Sequence, residues 1–427
     1  MEFKEYKLAD ITKKIYSGGT PSTKESSYWN GDLKWLSSGE TSNRFIMSTE
    51  KTITQKGVEN SSTKLAFKHD LVMASAGQGY TRGQTSFLKI DTYINQSLIA
   101  ISVNKNEIHP LYLFYNLVSR YNELRQISDS SSTRGSINTK MIKNLNIMIP
   151  EKSYQNRIVY LINSIDEKIE INKKIIENLE ELSQTLYKRW FVDFEFPDAN
   201  GNPYKTSGGE MVDSELGNIP KLWNIKRISD ICDVTDGTHD SPKQTKEGYP
   251  LVTSKHLNKF DINFSTTKLI SKEDFISINQ RSKVDKNDIL LSMIGTIGKI
   301  HFVNSKTINY AIKNVGLIKT SQIYFSTYIY NYINSQNTMD YIRQRTSGST
   351  QQYISLGSLR SIPIVLPENN ILKAYIDINN NFFRSINQRN EENVALIQLR
   401  DTLLPKLMSG EIELPDDIEV NEDELSI

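Results

Sequence analysis

A chain that matches itself at one long offset is constrained to fold as two copies of one unit, and this chain does so. Displaced by 217 positions, Ser132-Thr133 falls on Ser349-Thr350, Ile137 on Ile354, Leu145 on Ile362 and Pro150 on Pro367. Past that proline the same offset carries Leu179, Leu182, Thr185 and Leu186 onto Leu396, Leu399, Thr402 and Leu403, and Trp190 onto Leu407. Toward the front the offset drifts by one to three residues. There LADI at Leu8 to Ile11 matches ISDI at Ile228 to Ile231, and Gly19-Thr20 matches Gly237-Thr238. Composition does not generate a single offset over so many apolar positions; the chain is a duplication.

Each copy reads as a globular part followed by a long helix. The first helical stretch, from about Ser153 to Trp190, has no Pro or Gly and places Ile158, Ile162, Ile165, Ile169, Asn172, Ile176, Leu179, Leu186 and Trp190 along one seam. Steps of three, four and seven are the period of a coiled coil. The second, from about Glu368 to Met408, offers Ile378, Phe382, Ile386, Arg389, Leu396, Leu399, Leu403 and Leu407. Polar seam residues such as Asn172, Arg389 and Asn393 lower stability but fix register. The two helices most simply pair with each other, antiparallel; association between chains is the alternative. At 1.5 Å per residue each would be ~60 Å long, a rod holding two heads apart. The expected order is a first head at residues 1–150, a helix at 151–192 and a Gly-, Pro- and Ser-rich linker at 193–220. A second head at 221–367, a helix at 368–410 and a mobile acidic tail at 411–427 follow.

Within the heads, strand-like runs alternate with polar loops: DLVMASA (Asp70 to Ala76), SLIAISV (Ser97 to Val103) and NLNIMIP (Asn144 to Pro150). Their counterparts are DILLSMI (Asp288 to Ile294), VGLIKT (Val315 to Thr320) and SIPIVLP (Ser361 to Pro367). Helical stretches at Pro110 to Ile127 and Phe325 to Arg345 lie between them. The expected class is a mixed α/β (α+β) domain, duplicated.

Charge follows the same division. The net charge of +1 conceals +6 in residues 1–150 and +8 in residues 216–367, against −5 in 151–215 and −8 in 368–427. Basic bodies attract polyanions by releasing counterions, and acidic helices do not. A single cysteine, Cys232, excludes an internal disulfide, and the five histidines have no metal-site spacing, so no metal is expected. No apolar run approaches the ~20 residues of a membrane span, and MEFKEYKLADI does not resemble a signal peptide. A cytoplasmic protein is expected.

The loops supply the candidate nucleic-acid contacts. In the first head these are Gln78, Tyr80, Thr81 and Arg82 in GQGYTRG, and Ser132, Thr133 and Arg134 in SSSTRGSI. In the second they are Thr238, His239 and Lys243 in DGTHDSPK, Ser254 and Lys255 in TSKH, Thr296 and Lys299 in GTIGK, and Ser349, Gln351 and Gln352 in TSGSTQQY. Glycine lets backbone approach phosphate, hydroxyls and amides meet phosphates or base edges, and arginine grips guanine with two bonds. Exposed polar turns are common, so no single loop decides the matter. Catalytic signatures are absent from the sequence. There is no NPPY- or DPPY-type motif beside a cofactor loop, no Walker loop and no GxSxG elbow, and no nuclease carboxylates with an adjacent lysine are evident.

The duplicated plan resembles the specificity subunit of type I restriction-modification systems over nearly the whole chain. The most specific marks lie in LADITKKIYSGGTPSTKESSYWNGDLKWLSSGE, with Gly19 to Pro21, Tyr28-Trp29, Gly31 and Trp35. DGTHDSPK followed by GYPLVTSKHL, the helix end LRDTLLPKLMSGEI and LYKRWFVDFEFP are also similar to the family. The second head lacks a tryptophan at the position of Trp35, as two readers of unlike half-sites should. The resemblance implies a non-catalytic subunit in which each head reads one half of a split double-stranded DNA target. It further implies that the helices dock two methyltransferase subunits, with restriction-translocase subunits joining them. S-adenosylmethionine, ATP and magnesium would then sit on those partners, with no cofactor on this chain. A stand-alone duplicated DNA-binding or scaffold protein is the alternative.

Overall fold

The computed structural model describes residues 2–77, 79–129, 135–348, 352–415, 418 and 420. It divides into two compact units, Met1–Lys168 with Leu396–Ile427, and Ile169–Ala395. The boundary runs through both long helices, Lys152–Phe191 and Asn369–Ser409.

The first unit holds a five-stranded sheet in the order Thr12–Ser17, Leu98–Val103, Leu71–Ala74, Thr85–Leu88, Phe45–Ile46. A four-stranded sheet runs Lys51–Ile53, Trp29–Leu36, Thr92–Ile94, Lys64–Ala66. The second unit repeats the first sheet as Val234–Asp236, Val315–Ile318, Ile289–Ser292, Ile300–Phe302, and the second as Lys268–Ile270, Tyr249–Val252, Ala311–Ile312. The central strands Leu71–Ala74 and Ile289–Ser292 are buried at every residue, which is why they read as apolar runs, broken only by Ser292, rather than as alternation. Each head is closed by pairing its first strand with its last: Lys4–Lys7 with Asn146–Ile149, and Asn224–Arg227 with Pro363–Leu366.

The duplication extends to helix starts. Thr54 accepts from the Gly57 N–H, and Ser271, 217 residues later, accepts from the Asp274 N–H. Asn138 accepts from the Met141 N–H, and Ser355, again 217 later, from the Ser358 N–H. Each cap satisfies an orphan donor of its first turn, worth about 1 kcal/mol. The front of the repeat aligns one residue differently from the sequence reading. Gly18, not Gly19, is the counterpart of Gly237: a Cβ at either would lie 2.0 or 2.3 Å from the carbonyl oxygen of Ile94 or Ile312. The following N–H groups, of Gly19 and Thr238, donate to those same oxygens at 3.0 Å.

The long helices pair antiparallel within each unit, but the seam is more polar than an apolar heptad suggests. In the first unit Ile158 and Ile162 share a core with Leu404, Leu407, Met408, Tyr112 and Phe114. There Asp166, 2 % exposed, accepts from Arg400 at 2.7 Å and from Arg44 at 3.1 Å. In the second unit Tyr187, Trp190 and Phe191 pack with Leu372, Tyr375, Ile376, Phe383 and Ile386. Asn172 donates to Asn393 at 2.9 Å, and Ser183 to Asn379 at 2.7 Å. Ile162, Ile165, Ile169, Asn172 and Ile386 are buried as the period requires, and Ile176, Leu179, Leu186, Arg389, Leu396 and Leu403 are half-buried. Phe382 is displaced from the seam by its neighbour Phe383, and Ile378 and Leu399 are exposed. The reason is that Asn379, Asn393 and Arg400 occupy the inward positions, each hydrogen-bonded to a partner on the opposite helix, although the buried Asn379 Nδ2 has no partner among the described residues.

The Gly- and Pro-rich segment after the first helix is packed rather than loose. Phe196 stacks on Tyr204 and Trp223, with ring centroids 4.6 and 5.0 Å apart. Of the acidic tail, Leu414 N–H donates to the Tyr154 hydroxyl at 3.0 Å. Residues 416, 417, 419 and 421–427 lie outside the described residues.

Candidate nucleic-acid interface

Strand ends bring the candidate loops together at matching places in the two heads. In the first, the Ile137 N–H donates to Ser75 O and the Ser75 N–H to Ser97 O, both at 2.8 Å. This puts the loop after Ala74 beside the segment leading into Ile137. Arg125 donates to Gly79 O at 2.6 Å and the Tyr121 hydroxyl to Tyr80 O at 2.7 Å, so the helix Tyr121–Asp129 carries the glycine loop. In the second head the Ile354 N–H donates to Met293 O at 2.9 Å and the Gly295 N–H to Gln352 O at 3.0 Å, the same junction 217 or 218 residues on.

Of the first-head candidates, Tyr80 is exposed and Thr81 half-buried, whereas Arg82 is turned inward. Its guanidinium donates to Gly135 O at 2.8 Å and pairs with Asp129, tying two loops together instead of facing solvent. A glycine-flanked arginine has the same sequence signature in either role, and only the neighbouring Asp129 decides it. Gln78, Ser132, Thr133 and Arg134 lie outside the described residues, as do Ser349 and Gln351.

In the second head His239, Lys243, Lys255, Thr296, Lys299 and Gln352 are exposed, Thr238 is half-buried and Ser254 is buried. The turn Ser254–His256 is rigid: the Thr253 N–H donates to His256 Nδ1 at 2.9 Å. Burial, aided by Lys255, holds that ring below the ordinary histidine value, so it is neutral and free to accept.

Two of these loops meet at Asn314, a residue the motifs did not single out. Its N–H donates to Thr238 O at 3.1 Å, its Oδ1 lies 2.9 Å from His239 Nδ1, and Ser254 donates to its carbonyl at 3.5 Å. His239 Nε2 sits 3.0 Å from Asp236, which also takes Arg281 at 2.8 Å. Asp236, His239, Arg281, Asn314 and Tyr353 line one open cavity of about 390 Å³. Asn314 stands at φ +53°, a left-handed conformation that asparagine tolerates better than most residues. The corresponding residue of the first head is Gln96, whose amide oxygen accepts from the Thr20 hydroxyl. Their signal was a polar amide two residues past the end of a short strand in both copies, Thr92–Ile94 and Ala311–Ile312, and it is visible only once the copies are aligned at the strand ends.

A sequence model of the type I restriction modification DNA specificity domain matches residues 1–181 and 220–396, one match for each copy. The chain belongs to this specificity family. Among curated members it is 27% identical to the MjaIX specificity subunit of Methanocaldococcus jannaschii, over 97% of each chain. It is 23% identical to the HindI specificity subunit of Haemophilus influenzae, over 96% of this chain and all of that one. The crystal structure of a type I restriction-modification S subunit from M. genitalium superposes with a TM-score of 0.53 at 14% identity. That match covers 95% of this chain and 96% of that one, and shows the shared fold. Family membership also orders the variation between the heads of this specificity protein. Trp35 of the first, whose indole N–H reaches Gly19 O at 3.4 Å, is replaced in the same parallel strand pairing by Leu251 of the second. Among the described residues no group of side chains could hold a metal, and no helix is long and apolar enough to cross a membrane.

Proposed function

We propose that this chain is the DNA-recognition subunit of a type I restriction-modification complex, each head reading one half of a two-part double-stranded target. The observation that carries this is one scaffold used twice with unlike loops. The glycine turn, the strand order and the helix caps repeat, whereas the exposed groups do not. A repeated scaffold presents loops in one geometry, so different side chains there select different bases. The net charges of +6 and +8 over residues 1–150 and 216–367 supply the sequence-independent attraction to phosphate. The subunit is non-catalytic, consistent with its family. The acidic long helices are the docking surface for two methyltransferase subunits, with restriction subunits joining through them. S-adenosylmethionine, ATP and magnesium belong to those partners.

Co-production with a methyltransferase subunit, followed by methylation mapping of the host genome, tests the reading. A two-part adenine motif that appears only with this chain supports it. A chain that purifies free of any methyltransferase and leaves methylation unchanged would favour a stand-alone DNA-binding or scaffold protein.

A further inference from the structure

The two heads share an arrangement that the loop motifs do not include: an amide in the short connection between two sheet strands, with its oxygen facing a neighbouring side chain. In the first head the exposed Gln96 accepts from the Thr20 hydroxyl through Oε1. In the second, Asn314 Oδ1 faces His239 Nδ1 at 2.9 Å. The partners, Thr20 and His239, each lie two residues after the glycine that packs on a strand carbonyl, Gly18 or Gly237. The two pairs therefore occupy one scaffold position and differ in chemistry.

An unrestrained carboxamide presents either its acceptor or its donors, because a half-turn exchanges them. With the Thr20 hydroxyl and a proton on His239 Nδ1 as the donors, the neighbour holds the oxygen and the NH₂ group is the end left for another partner. In the second head His239 is steadied in turn by Asp236, and Asp236 by Arg281. Both amides also border the loop junctions described above: Gln96 precedes Ser97, which bonds Ser75, and Asn314 lines the cavity with Tyr353.

We infer that Gln96 and Asn314 are specificity-determining residues, each oriented by its neighbour to donate to a base-edge acceptor in its own half-site. The acceptors open to such a donor in the major groove are purine N7, guanine O6 and thymine O4. Thr20 and His239 are positioning residues. The inference rests on the recognition reading above.

Isosteric exchange tests it. Gln96→Glu and Asn314→Asp replace the donor with an acceptor at constant shape, and aspartate, like asparagine, tolerates the left-handed backbone at 314. The full chain is co-produced with its methyltransferase, and methylated sites are mapped genome-wide. Each variant should lose about tenfold to a hundredfold of its preference for the wild-type base at one or two positions of one half-site. The other half-site, unchanged, is the internal control for folding. Thr20→Val and His239→Phe free the amides and should relax the same positions without selecting a new base. Wild-type motifs in both acidic variants, or a loss spread evenly over every base, would overturn the assignment. A wild-type chain that yields no two-part motif would overturn the recognition reading itself, and the assignment with it.

Discussion

The buried carboxylate of Asp166 is the most exacting test of how the first unit is held together. It is 2 % exposed and takes Arg400, 9 % exposed, at 2.7 Å and Arg44, 23 % exposed, at 3.1 Å. One group thus joins the two long helices to a loop of the head. Asp166→Asn keeps the shape and removes the charge, leaving Arg400 with only the outer Asp401 at 2.8 Å. Breaking a buried pair on one side costs about 3 kcal/mol or more, chiefly because the remaining charge is stranded. For a unit of about 200 residues this lowers the melting temperature by roughly 6–12 °C. The repeat supplies the control, since Phe383 and Ser183 stand 217 residues from Asp166 and Arg400 and make no ion pair with each other. The double variant Asp166→Phe/Arg400→Ser copies that solution and should be more stable than Asp166→Asn. Arg44 can turn to water, and its guanidinium already lies 5.3 Å from the Phe114 ring centre. Calorimetry of the full chain reads both variants. An Asp166→Asn melt within a degree of wild type, or a double variant less stable than the single, would refute the argument.

Burial holds the His301 ring down to about 4, with Nδ1 2.8 Å from Asn258 O. The folded value lies below the unfolded one, so its contribution is complete above about pH 6.5. On acidification toward pH 4 it falls by about 3 kcal/mol. His301→Gln should flatten that part of the stability profile, and an unaltered slope would disprove it. Arg82→Ala should cost about 2 kcal/mol of stability through its lost loop contacts while leaving the salt dependence of DNA binding unchanged; a shallower salt slope would show that the side chain meets phosphate. If roughly eight phosphates are neutralised, log affinity against log salt should have a slope near −7, and a flat plot would remove DNA as the ligand. Gly237→Ala puts a Cβ 2.3 Å from Ile312 O and should destabilise the second unit by about 1–3 kcal/mol, read by urea unfolding. Gly357→Ala, where the nearest atom to a Cβ is Ser355 Oγ at an ordinary 3.7 Å and the backbone is helical, is the contrasting control for steric crowding.

Local and periodic signals were legible in the sequence. The offset of 217 reappears in the caps Thr54 and Ser271, and Asn138 and Ser355. The first helix, expected from Ser153 to Trp190, runs Lys152–Phe191. What the sequence obscured was pairwise. A period-based reading favours Ile378, Phe382 and Leu399 because they are apolar. The inward positions instead hold Asn379, Phe383 and Arg400, and the two polar residues among them are stable there because Ser183 and Asp166 lie opposite. Neither partner identifies the other without the opposite helix in place. Arg82 illustrates the same limit in the loops, and Gln96 and Asn314 came to notice only through strand register.

The first compact unit draws on chain segments that are synthesised far apart. Its core needs Leu404, Leu407 and Met408, whereas residues 169–395 form an uninterrupted second unit. At ribosomal rates of about 5–20 residues per second, the leading head waits roughly 10–50 s for those side chains after its own helix begins. Throughout that interval the apolar face around Ile158 and Ile162 is open to chaperones or to a stray helix. Assembly order, and not only final stability, therefore bears on the yield of competent subunits.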